Sequence, residues 1–436
     1  MLAPELDPNR SCCDQVLALT SHIEYGFEKC LKTAVVFIDL SSAYDTVWRH
    51  GLLLKLVKAI PCNTFISLIN EMLSRREFVV YINEERSKKC ILSNGLPQGS
   101  VLAPLLFNLF ISDMPPTASR KFGYADDNAI AVQSKCFMEC ERTLNKDLLI
   151  LQKYFNKWGL KPNPKKTEST SFHLNNKQAN YQLNLRFCNQ NVKHTCHPKY
   201  LGITLDRSLT HRKHCENTAA KIKTRNNIIH KLCGTTWGAD AESLRTTALA
   251  LVFSVAEYCC PVWLCSSHTS KVDVQLNETL RAISGSVNST PLEWLPVLAN
   301  IAPPDLRRQQ ALLKEYRKIQ QINFNVLDRW HDDWQRSNRD PQNLIENPSN
   351  RVPGFNLPRK EWVTLNRFRT GHGRCAYFMY KWGLADNPGC DCGEPNQTMR
   401  HIATVCPTRA YSNNLGEVHQ ATPSVIEWLK RLDLQL

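Results

Sequence analysis

The sequence predicts an α+β fold, in which an antiparallel sheet with helices is followed by a helical region and a small metal-binding tail. Three observations carry this prediction. Short runs of β-forming residues alternate with helical patterns over residues 11–173. Helical spacing dominates from about residue 212 to residue 336. Beyond residue 359, cysteine and histidine recur at the spacing of metal ligands.

The first element of the sheet is a short apolar strand that ends in a carboxylate. Residues 35–38 (VVFI) are β-forming, and Asp39 follows them directly. Ser41 or Ser42 is expected to cap a helix that runs through residues 52–60. Asp39 is therefore predicted to lie at a strand end and to point out of the sheet.

Two adjacent carboxylates, Asp126 and Asp127, interrupt an otherwise apolar segment at residues 121–132. The pattern predicts a strand, a tight turn at residues 126–128 and a returning strand. Like charges on a turn backed by buried strands repel each other, and a multivalent cation would neutralise them. Together with Asp39, these carboxylates could hold two Mg²⁺ ions for in-line displacement at phosphorus. The alternative is a solvated acidic turn.

A loop with the sequence NGLPQGS, residues 94–100, precedes an apolar helix predicted from residue 101 onward. Its glycines and proline allow the backbone to approach a ligand closely. Ser100 can cap the helix. Gln98 can hydrogen-bond a template base or an incoming nucleotide, and Gly99 leaves room beside it, so both residues are predicted to bind the nucleotide.

Taken in order, the blocks at residues 37–45, 95–100 and 124–127 resemble the palm motifs of reverse transcriptases, and most closely those of jockey-type non-LTR retrotransposons. The resemblance implies a reverse-transcriptase palm, then a helical thumb and a small zinc-binding tail. It also implies an RNA-directed DNA polymerase that uses Mg²⁺ or Mn²⁺ at the three carboxylates. The expected partners are an RNA template, a DNA primer and deoxynucleoside triphosphates.

The resemblance assigns roles to residues near the carboxylates. Tyr44 matches the aromatic residue that packs under the sugar of the incoming nucleotide and excludes a 2′-hydroxyl, and a core aromatic is the alternative. This match makes an RNA-dependent RNA polymerase the weaker rival. Asp45 is expected to support the helix N-terminus, where negative charge is favoured.

Later segments continue the resemblance. Residues 158–167 look like the next palm motif, in which Lys166 matches the lysine near the leaving phosphates and could donate a proton to pyrophosphate. Residues 199–203 look like the primer grip, and residues 246–263 look like the helical region after the thumb. The basic stretch at residues 207–231 could face a duplex backbone and is the expected thumb.

Cys390, Cys392, His401 and Cys406 form the pattern C-x-C-x8-H-x4-C. Four soft ligands of this kind can close a tetrahedral structural Zn²⁺ site, and the pattern resembles the tail of the same family. The alternative is free thiols in a helical tail. Basic and aromatic residues surround the pattern, which suits single-stranded RNA, although a solvated helix face is an equal alternative. These residues are Arg367, Arg369, His372, Arg374, Lys381 and Trp382, of which the three arginines are the predicted RNA contacts.

Composition restricts the possible partners and compartment. The 436 residues carry a net charge of +14, which favours a polyanionic partner. The 18 cysteines follow no secretory segment, so a reducing compartment is expected, in the nucleus and cytoplasm rather than outside the cell. The longest apolar stretch, residues 248–264, contains Glu257 and Pro261 and is predicted to be a buried helix rather than a membrane span.

The sequence also predicts domain boundaries. Residues 1–173 are expected to hold partial fingers and the palm, and residues 174–336 the end of the palm, the thumb and a helical connection. Residues 337–358 look like a linker, and residues 359–436 like a helical, zinc-knuckle-like region. Residues 9–16 resemble the end of a fingers motif that residues 1–7 do not continue. We therefore expect an N-terminally truncated chain, and the alternative function is a catalytically impaired remnant that binds nucleic acid.

Overall fold

The computed structural model describes residues 11–234, 237–317, 326–336, 345–411, 414–432 and 434. Its contacts divide the chain into two units, residues 1–214 and 215–436. The functional boundaries at residues 173, 336 and 358 stay predictions. Of the segment at residues 9–16 that resembles the end of a fingers motif, residues 9 and 10 lie outside the described residues.

Helices and short strands alternate in the first unit. The helices are α1 (Cys12–Glu28), α2 (Ala43–Thr46), α3 (Arg49–Ala59), α4 (Asn63–Leu73), α5 (Leu102–Ile111) and α6 (Phe137–Lys157), and α7 (Arg212–Leu232) begins at the end of the unit. The strands are β1 (Lys32–Ile38), β2 (Arg76–Phe78), β3 (Tyr81–Ile82), β4 (Glu85–Arg86), β5 (Cys90–Leu92), β6 (Arg120–Tyr124), β7 (Asp127–Ser134), β8 (Glu168–Phe172), β9 (Arg186–Phe187), β10 (Gln190–Asn191), β11 (Lys193–His194), β12 (Lys199–Tyr200) and β13 (Ile203–Thr204).

A five-stranded sheet with the order β11-β8-β1-β7-β6 organises the first unit. All of its pairings are antiparallel except that of β11 with β8. Apolar side chains of β1 and β7, such as Val36 and Ile130, join one buried core with Phe107 of α5 and Leu148 of α6. This packing covers one face of the sheet with helices, and the combination of helices with a mainly antiparallel sheet was predicted.

The predicted turn and caps differ in detail from the structure. Tyr124 pairs with Asp127, so the hairpin loop consists of Ala125 and Asp126 rather than residues 126–128. Ala125 has φ 54°, a positive value that two-residue hairpin loops of this twist require. The predicted serine cap was wrong, because Ser42 is in the left-handed region (φ 47°) instead of the extended conformation of an N-cap, and α3 follows Trp48 without a side-chain cap.

The described part of the second unit is helical. Its helices after α7 are α8 (Ala241–Ala248), α9 (Ser254–Ala256), α10 (Cys260–Trp263), α11 (Ser270–Ser284), α12 (Trp294–Ala299), α13 (Pro304–Arg317), α14 (Val326–Arg336), α15 (Arg359–Thr370), α16 (Ala376–Lys381), α17 (Met399–Thr404), α18 (Leu415–His419) and α19 (Pro423–Arg431). One core gathers tryptophans from α12, α14 and α15, and a second core lies among α15, α17, α18 and α19.

The single buried helix predicted over residues 248–264 was wrong. A π-helical turn at Leu249–Phe253 interrupts the stretch, and Cys259 takes a left-handed conformation (φ 46°) before α10. A residue with positive φ cannot continue a right-handed helix, which explains the break. In the part of the chain that the structure describes, no helix has the length and apolar character needed to cross a bilayer.

The described part of the predicted linker is packed. Residues 337–344 lie outside the described residues. Ile345, Val352 and Phe355 are buried in the same core as Trp362, and the indole of Trp334 donates a hydrogen bond to the Ile345 carbonyl over 2.8 Å. This segment therefore contributes apolar side chains to the second unit.

Candidate functional site

The register of β1 and β7 brings two of the predicted carboxylates together. The last pair of the ladder joins Ile38 with Asn128, so Asp39 and Asp127 occupy the next opposed positions. Directly opposed residues of an antiparallel pair point to the same face, with Cβ atoms about 5 Å apart. Asp126 immediately precedes Asp127 in the hairpin loop. The structure thus gathers all three carboxylates at one end of the sheet.

The three carboxylates are close enough to influence one another electrostatically. The pKa of the Asp127 carboxyl is raised, first because the surrounding protein removes part of its hydration, and then because of the negative charges of Asp126 and Asp39. The side-chain amide of Asn128 donates to the Asp126 carbonyl over 3.1 Å and fixes the turn. A cluster of this kind holds negative charge at close quarters and favours a bound cation.

The glycine-rich loop lies against the chain that follows Asp39. The Gln98 side-chain amide donates to the Asp45 carboxylate over 3.1 Å, and both side chains are exposed. A Cβ on Gly95 would lie 2.7 Å from the carbonyl oxygen of Asp45, so only glycine permits this approach. Asp45 therefore orients Gln98, a role that sequence reasoning missed when it expected Asp45 only to support a helix. Gly99 has φ 85° and open space where a Cβ would lie.

Tyr44 lies between the loop and the helix after it. Its ring stacks on Phe107 of α5 with centroids 4.8 Å apart and an interplanar angle of 23°. Its carbonyl accepts a hydrogen bond from the Leu96 backbone over 2.8 Å. The side chain is partly buried. This arrangement is compatible both with a core role and with a role beside a nucleotide.

The segment that contains Lys166 is anchored beside Asp39. The backbone N–H of Asn163 donates to the Asp39 carbonyl over 2.9 Å, and the Asp39 N–H donates to the Thr167 hydroxyl over 3.4 Å. Lys166 itself is exposed. The hairpin of β12 and β13 packs on β1 near Asp39, since the ring centres of Tyr200 and Phe37 are 5.4 Å apart. The structure therefore brings five separate sequence motifs together around the end of β1: residues 37–45, 95–100, 124–127, 158–167 and 199–203.

A buried lysine behind this site was missed by the sequence analysis. The Lys55 ammonium donates to the Phe110 carbonyl and to the Asp113 carboxylate, over 2.5 Å each, and lies 3.7 Å from the centre of the Trp158 ring. Tyr154 donates to the same carboxylate over 2.6 Å. Burial lowers the pKa of Lys55, and the contacts with Asp113 oppose that shift. The sequence did contain a signal for this residue, because Lys55 lies at helical spacing from Leu52 and next to Leu56, on the buried face of α3.

The four predicted metal ligands form a compact cluster. Their ligand atoms, from Cys390, Cys392, His401 and Cys406, all lie within 4.8 Å of one another. The Cys390 and Cys406 sulfurs are 3.9 Å apart, and the Cys392 sulfur is 3.3 Å from His401 Nε2. Tetrahedral ligands at Zn²⁺ bond lengths are separated by about 3.6–3.8 Å. The donor set and its spacing therefore fit a single four-coordinate metal ion.

Local structure explains how this cluster forms. Gly393 has φ 95°, which lets the chain fold back so that its N–H donates to the Cys390 carbonyl over 2.9 Å. Thr398 caps α17, and its hydroxyl accepts from the His401 N–H, which fixes His401 in the first turn. Burial opposes ionisation of Cys406, but hydrogen bonds from Thr408 and from the backbone prevail and lower the pKa of this thiol to about 6.

Two of the three predicted RNA contacts were wrong. Arg369 is fully buried, and its guanidinium donates to the His419 ring, the Asn366 side chain and backbone carbonyls. Arg367 is also buried, and burial together with the charge of Arg374 lowers its pKa to about 10. Neither guanidinium is accessible to phosphate. Arg374 is exposed and keeps the predicted accessibility.

Comparison with known proteins shows that this chain is similar to RNA-directed DNA polymerases. Residues 2–205 match the family model described as reverse transcriptase (RNA-dependent DNA polymerase). A probable RNA-directed DNA polymerase from transposon BS of Drosophila melanogaster is 31% identical over 63% of this chain and 31% of its own length. The RNA-directed DNA polymerase from the mobile element jockey of Drosophila melanogaster is 29% identical over 57% of this chain and 28% of its own length.

Similarity extends into the second unit. A Pol polyprotein from the type-1 retrotransposable element R1 of Bradysia coprophila is 24% identical over 85% of this chain and 40% of its own length. The chain thus spans less than half the length of each of these three relatives.

Proposed function

We propose that this chain is a reverse transcriptase of the kind found in jockey-like non-LTR retrotransposons, to which it is similar. In this proposal it copies an RNA template into DNA from a DNA primer and deoxynucleoside triphosphates. The observation that carries the proposal is the opposition of Asp39 and Asp127 across β1 and β7, with Asp126 beside them. Nucleotidyl transfer needs such a cluster because negative charge develops on the attacking and leaving oxygens.

Asp39, Asp126 and Asp127 would hold Mg²⁺ or Mn²⁺. The raised pKa of Asp127, caused by partial desolvation and by the two neighbouring charges, supports this assignment, because a divalent cation would relieve both costs. Hard carboxylate oxygens are the ligands that these ions prefer. When bound, the ions would activate the primer hydroxyl and stabilise the pyrophosphate that leaves.

The loop beside the carboxylates would receive the nucleotide. Asp45 accepts from the Gln98 Nε2, so the carbonyl oxygen at the other end of this amide is available to a donor on a base. Gly99 leaves space for the backbone of the ligand. Lys166 is exposed on a segment attached to Asp39 and would supply a proton to the departing pyrophosphate.

For the tail we propose a structural zinc ion. Three thiols and one imidazole are the donor set that zinc takes in closed sites, and the sulfur of Cys390 also accepts from the Gln397 amide over 3.5 Å. The side chain of Arg409 binds Asp391 over 2.7 Å and lies 3.9 Å from the same sulfur. These surrounding donors would stabilise thiolates around a metal.

Primer extension tests the proposed activity directly. Purified protein should extend a DNA primer annealed to an RNA template in the presence of Mg²⁺ or Mn²⁺ and deoxynucleotides, and should stop when the metal is chelated. Extension that needs no divalent cation, or no extension under any metal condition by folded protein, would contradict the assignment.

Tyr44→Ala should reduce the preference for deoxyribonucleotides over ribonucleotides by about 10- to 100-fold, because a steric barrier to the 2′-hydroxyl is removed. The measurement is the ratio of the two incorporation efficiencies in one preparation, which is insensitive to a loss of folded protein. Tyr44→Phe keeps the ring that stacks on Phe107 and should keep the ratio. An unchanged ratio in Tyr44→Ala would restrict Tyr44 to a packing role.

Arg374→Ala should affect RNA binding, whereas Arg369→Ala should affect the stability of the fold. Arg374 is exposed, so its loss should weaken RNA binding and reduce the salt dependence by about 0.7 in the logarithmic slope, with little change in stability. Loss of Arg369 leaves buried partners such as His419 unpaired and should lower stability by about 3 kcal/mol or more. Salt titrations of RNA binding and denaturant unfolding distinguish the two outcomes, and equal effects of both variants on RNA binding would contradict this division.

A further inference from the structure

The buried lysine of α3 lies where three helices of the first unit meet. Lys55 is 7% exposed. Its ammonium donates to the Phe110 carbonyl and to the Asp113 carboxylate over 2.5 Å each, and to the Tyr154 hydroxyl over 3.1 Å. Phe110 is in the last turn of α5, and Tyr154 is in the last turn of α6. An ammonium has three donors, so these partners use all of them and join α3 to the ends of both helices.

The indole of Trp158 covers the same ammonium. Lys55 Nζ lies 3.7 Å from the centre of that ring, well within the distance of about 6 Å at which a ring face attracts a cation. The ring of Phe110 meets the indole edge-on, with centres 5.9 Å apart. Because the ammonium is largely desolvated, its attraction to the ring is stronger than at an exposed site. Trp158 is therefore held by a charge as well as by apolar packing.

The chain that begins at Trp158 leads directly to the candidate site. The backbone N–H of Ser41 donates to the Lys161 carbonyl over 2.8 Å, and the N–H of Asn163 donates to the Asp39 carbonyl over 2.9 Å. These two hydrogen bonds lie only three and five positions after Trp158. A displacement of the indole would consequently be transmitted to the backbone that carries the Asp39 carboxylate.

Packing alone does not account for a lysine at this place. Burial of an ammonium costs free energy, and an apolar side chain of similar length would fill the space without that cost. Burial also lowers the pKa of Lys55, while the contacts with Asp113 oppose that shift. Asp113 is 48% exposed, so water can solvate its carboxylate without the lysine. What the lysine adds over an apolar residue is a fixed geometry of the groups around it.

We propose that Lys55 is a positioning residue of the candidate polymerase site. It holds Trp158, and through the two backbone hydrogen bonds it keeps the end of β1 at Asp39 in place. Lys166 lies on the same segment and is positioned with it. Lys55 is buried away from the substrate and acts only through these partners. The catalytic consequence rests on the proposed function, whereas the mechanical coupling of Lys55 to Asp39 does not.

Hydrogen exchange of the full chain, without substrate, tests the coupling. Lys55→Met keeps an unbranched side chain and removes the ammonium. The amides of Ser41 and Asn163 should exchange at least about tenfold faster in this variant, and amides in the middle of β1 and β7 should change by less than about twofold. Lys58→Met is the matched control, because Lys58 is exposed on the same helix, and it should leave all these amides unchanged.

Further variants separate positioning from overall stability. Trp158→Phe keeps a ring face for the ammonium and should retain the parent pattern, whereas Trp158→Leu should reproduce Lys55→Met. Leu148→Ala opens a cavity in the core of the same unit and should raise exchange without a preference for Ser41 and Asn163. If Leu148→Ala gave the same ratio of local to core exchange as Lys55→Met, or if Lys55→Met left both amides unchanged, the proposal would be overturned.

Primer extension carries the test to catalysis. Lys55→Met should lower the single-turnover rate about tenfold and raise the Mg²⁺ concentration for half-maximal rate at least about threefold. The deoxynucleotide requirement should change by less than about twofold, because the loop that carries Gln98 is held by Asp45. A lower amplitude at an unchanged rate would mean fewer folded molecules and would overturn the positioning role. If the parent extended no primer, the proposed function would fail, and hydrogen exchange would still decide the coupling.

Discussion

Asp126→Asn should reduce primer extension by about three orders of magnitude, because a metal ligand in nucleotidyl transfer contributes several kcal/mol to the transition state. The amide keeps the shape of the carboxylate and removes its charge. The measurement is the single-turnover extension rate at saturating Mg²⁺. Retention of more than about one-tenth of the rate would contradict the assignment of this residue as a metal ligand.

The same variant should remain folded, and this separates a catalytic role from a structural one. The pKa of Asp127 is raised in the folded protein, partly by the charge of Asp126. When the pKa of a carboxyl group is higher in the folded protein than in the unfolded chain, the protein loses stability as pH rises from the unfolded-state pKa through the folded-state pKa. Without Mg²⁺, Asp126→Asn should therefore be at least as stable as the parent at pH 7, and the difference should vanish in acid.

A charge-matched control completes this experiment. Asp332 is exposed on α14, and Asp332→Asn removes the same charge from the second unit. Its extension rate should equal that of the parent. If Asp332→Asn lost activity to the same degree, a general effect of charge would explain the result, and the site at the end of β1 and β7 would lose its support.

Cys406→Ser should remove the proposed zinc ion and destabilise the tail around it. The parent should contain about one equivalent of zinc by elemental analysis, and the variant much less, because one of four ligands is lost. Metal binding at closed sites contributes about 10 kcal/mol or more in isolated zinc units. Here the neighbouring core of α15, α17, α18 and α19 should retain part of the structure.

Hydrogen exchange locates this effect. Amides of α17, which carries His401, should exchange faster in Cys406→Ser and in chelated parent protein, whereas amides of β1 and β7 should not change. Cys265→Ser is the matched control, since this thiol is exposed in the same unit outside the cluster. Absence of zinc in the parent, or equal metal content in Cys406→Ser, would contradict the proposed site.

Point variants suit this test better than a cut after Pro358. Arg359 and Trp362 of α15 donate hydrogen bonds to the Ile283 carbonyl, so a cut there would also disrupt the rest of the second unit.

Much of the candidate site was predictable because its signals are local. The strand before Asp39, the hairpin with Asp126 and the loop with Gln98 follow from β-forming runs and from turn residues. The resemblance to jockey-type reverse transcriptases is confirmed. The metal-ligand pattern predicted a cluster, and its four ligand atoms do converge. The choice of Mg²⁺ and Zn²⁺ stays a prediction.

Other features depend on contacts between distant parts of the chain. The predicted RNA contacts failed at Arg367 and Arg369 because a basic residue on a short helix is normally solvated, and only the packing of α15 buries both side chains. Lys55 was overlooked for the same reason, since its partner Asp113 lies 58 positions away. The π-helical turn at Leu249–Phe253 likewise has no local signal in an apolar run.

The sequence by itself determined which chemical groups the protein has and which of them end a strand or occupy a turn, because strand, turn and ligand spacing depend on near neighbours. Only the tertiary structure decided which groups meet. The pairing of β1 with β7 opposes Asp39 to Asp127, and the packing of Gly95 against Asp45 orients Gln98. Burial of Arg369 and exposure of Arg374 were decided in the same way, because desolvation depends on every element that packs around a charge.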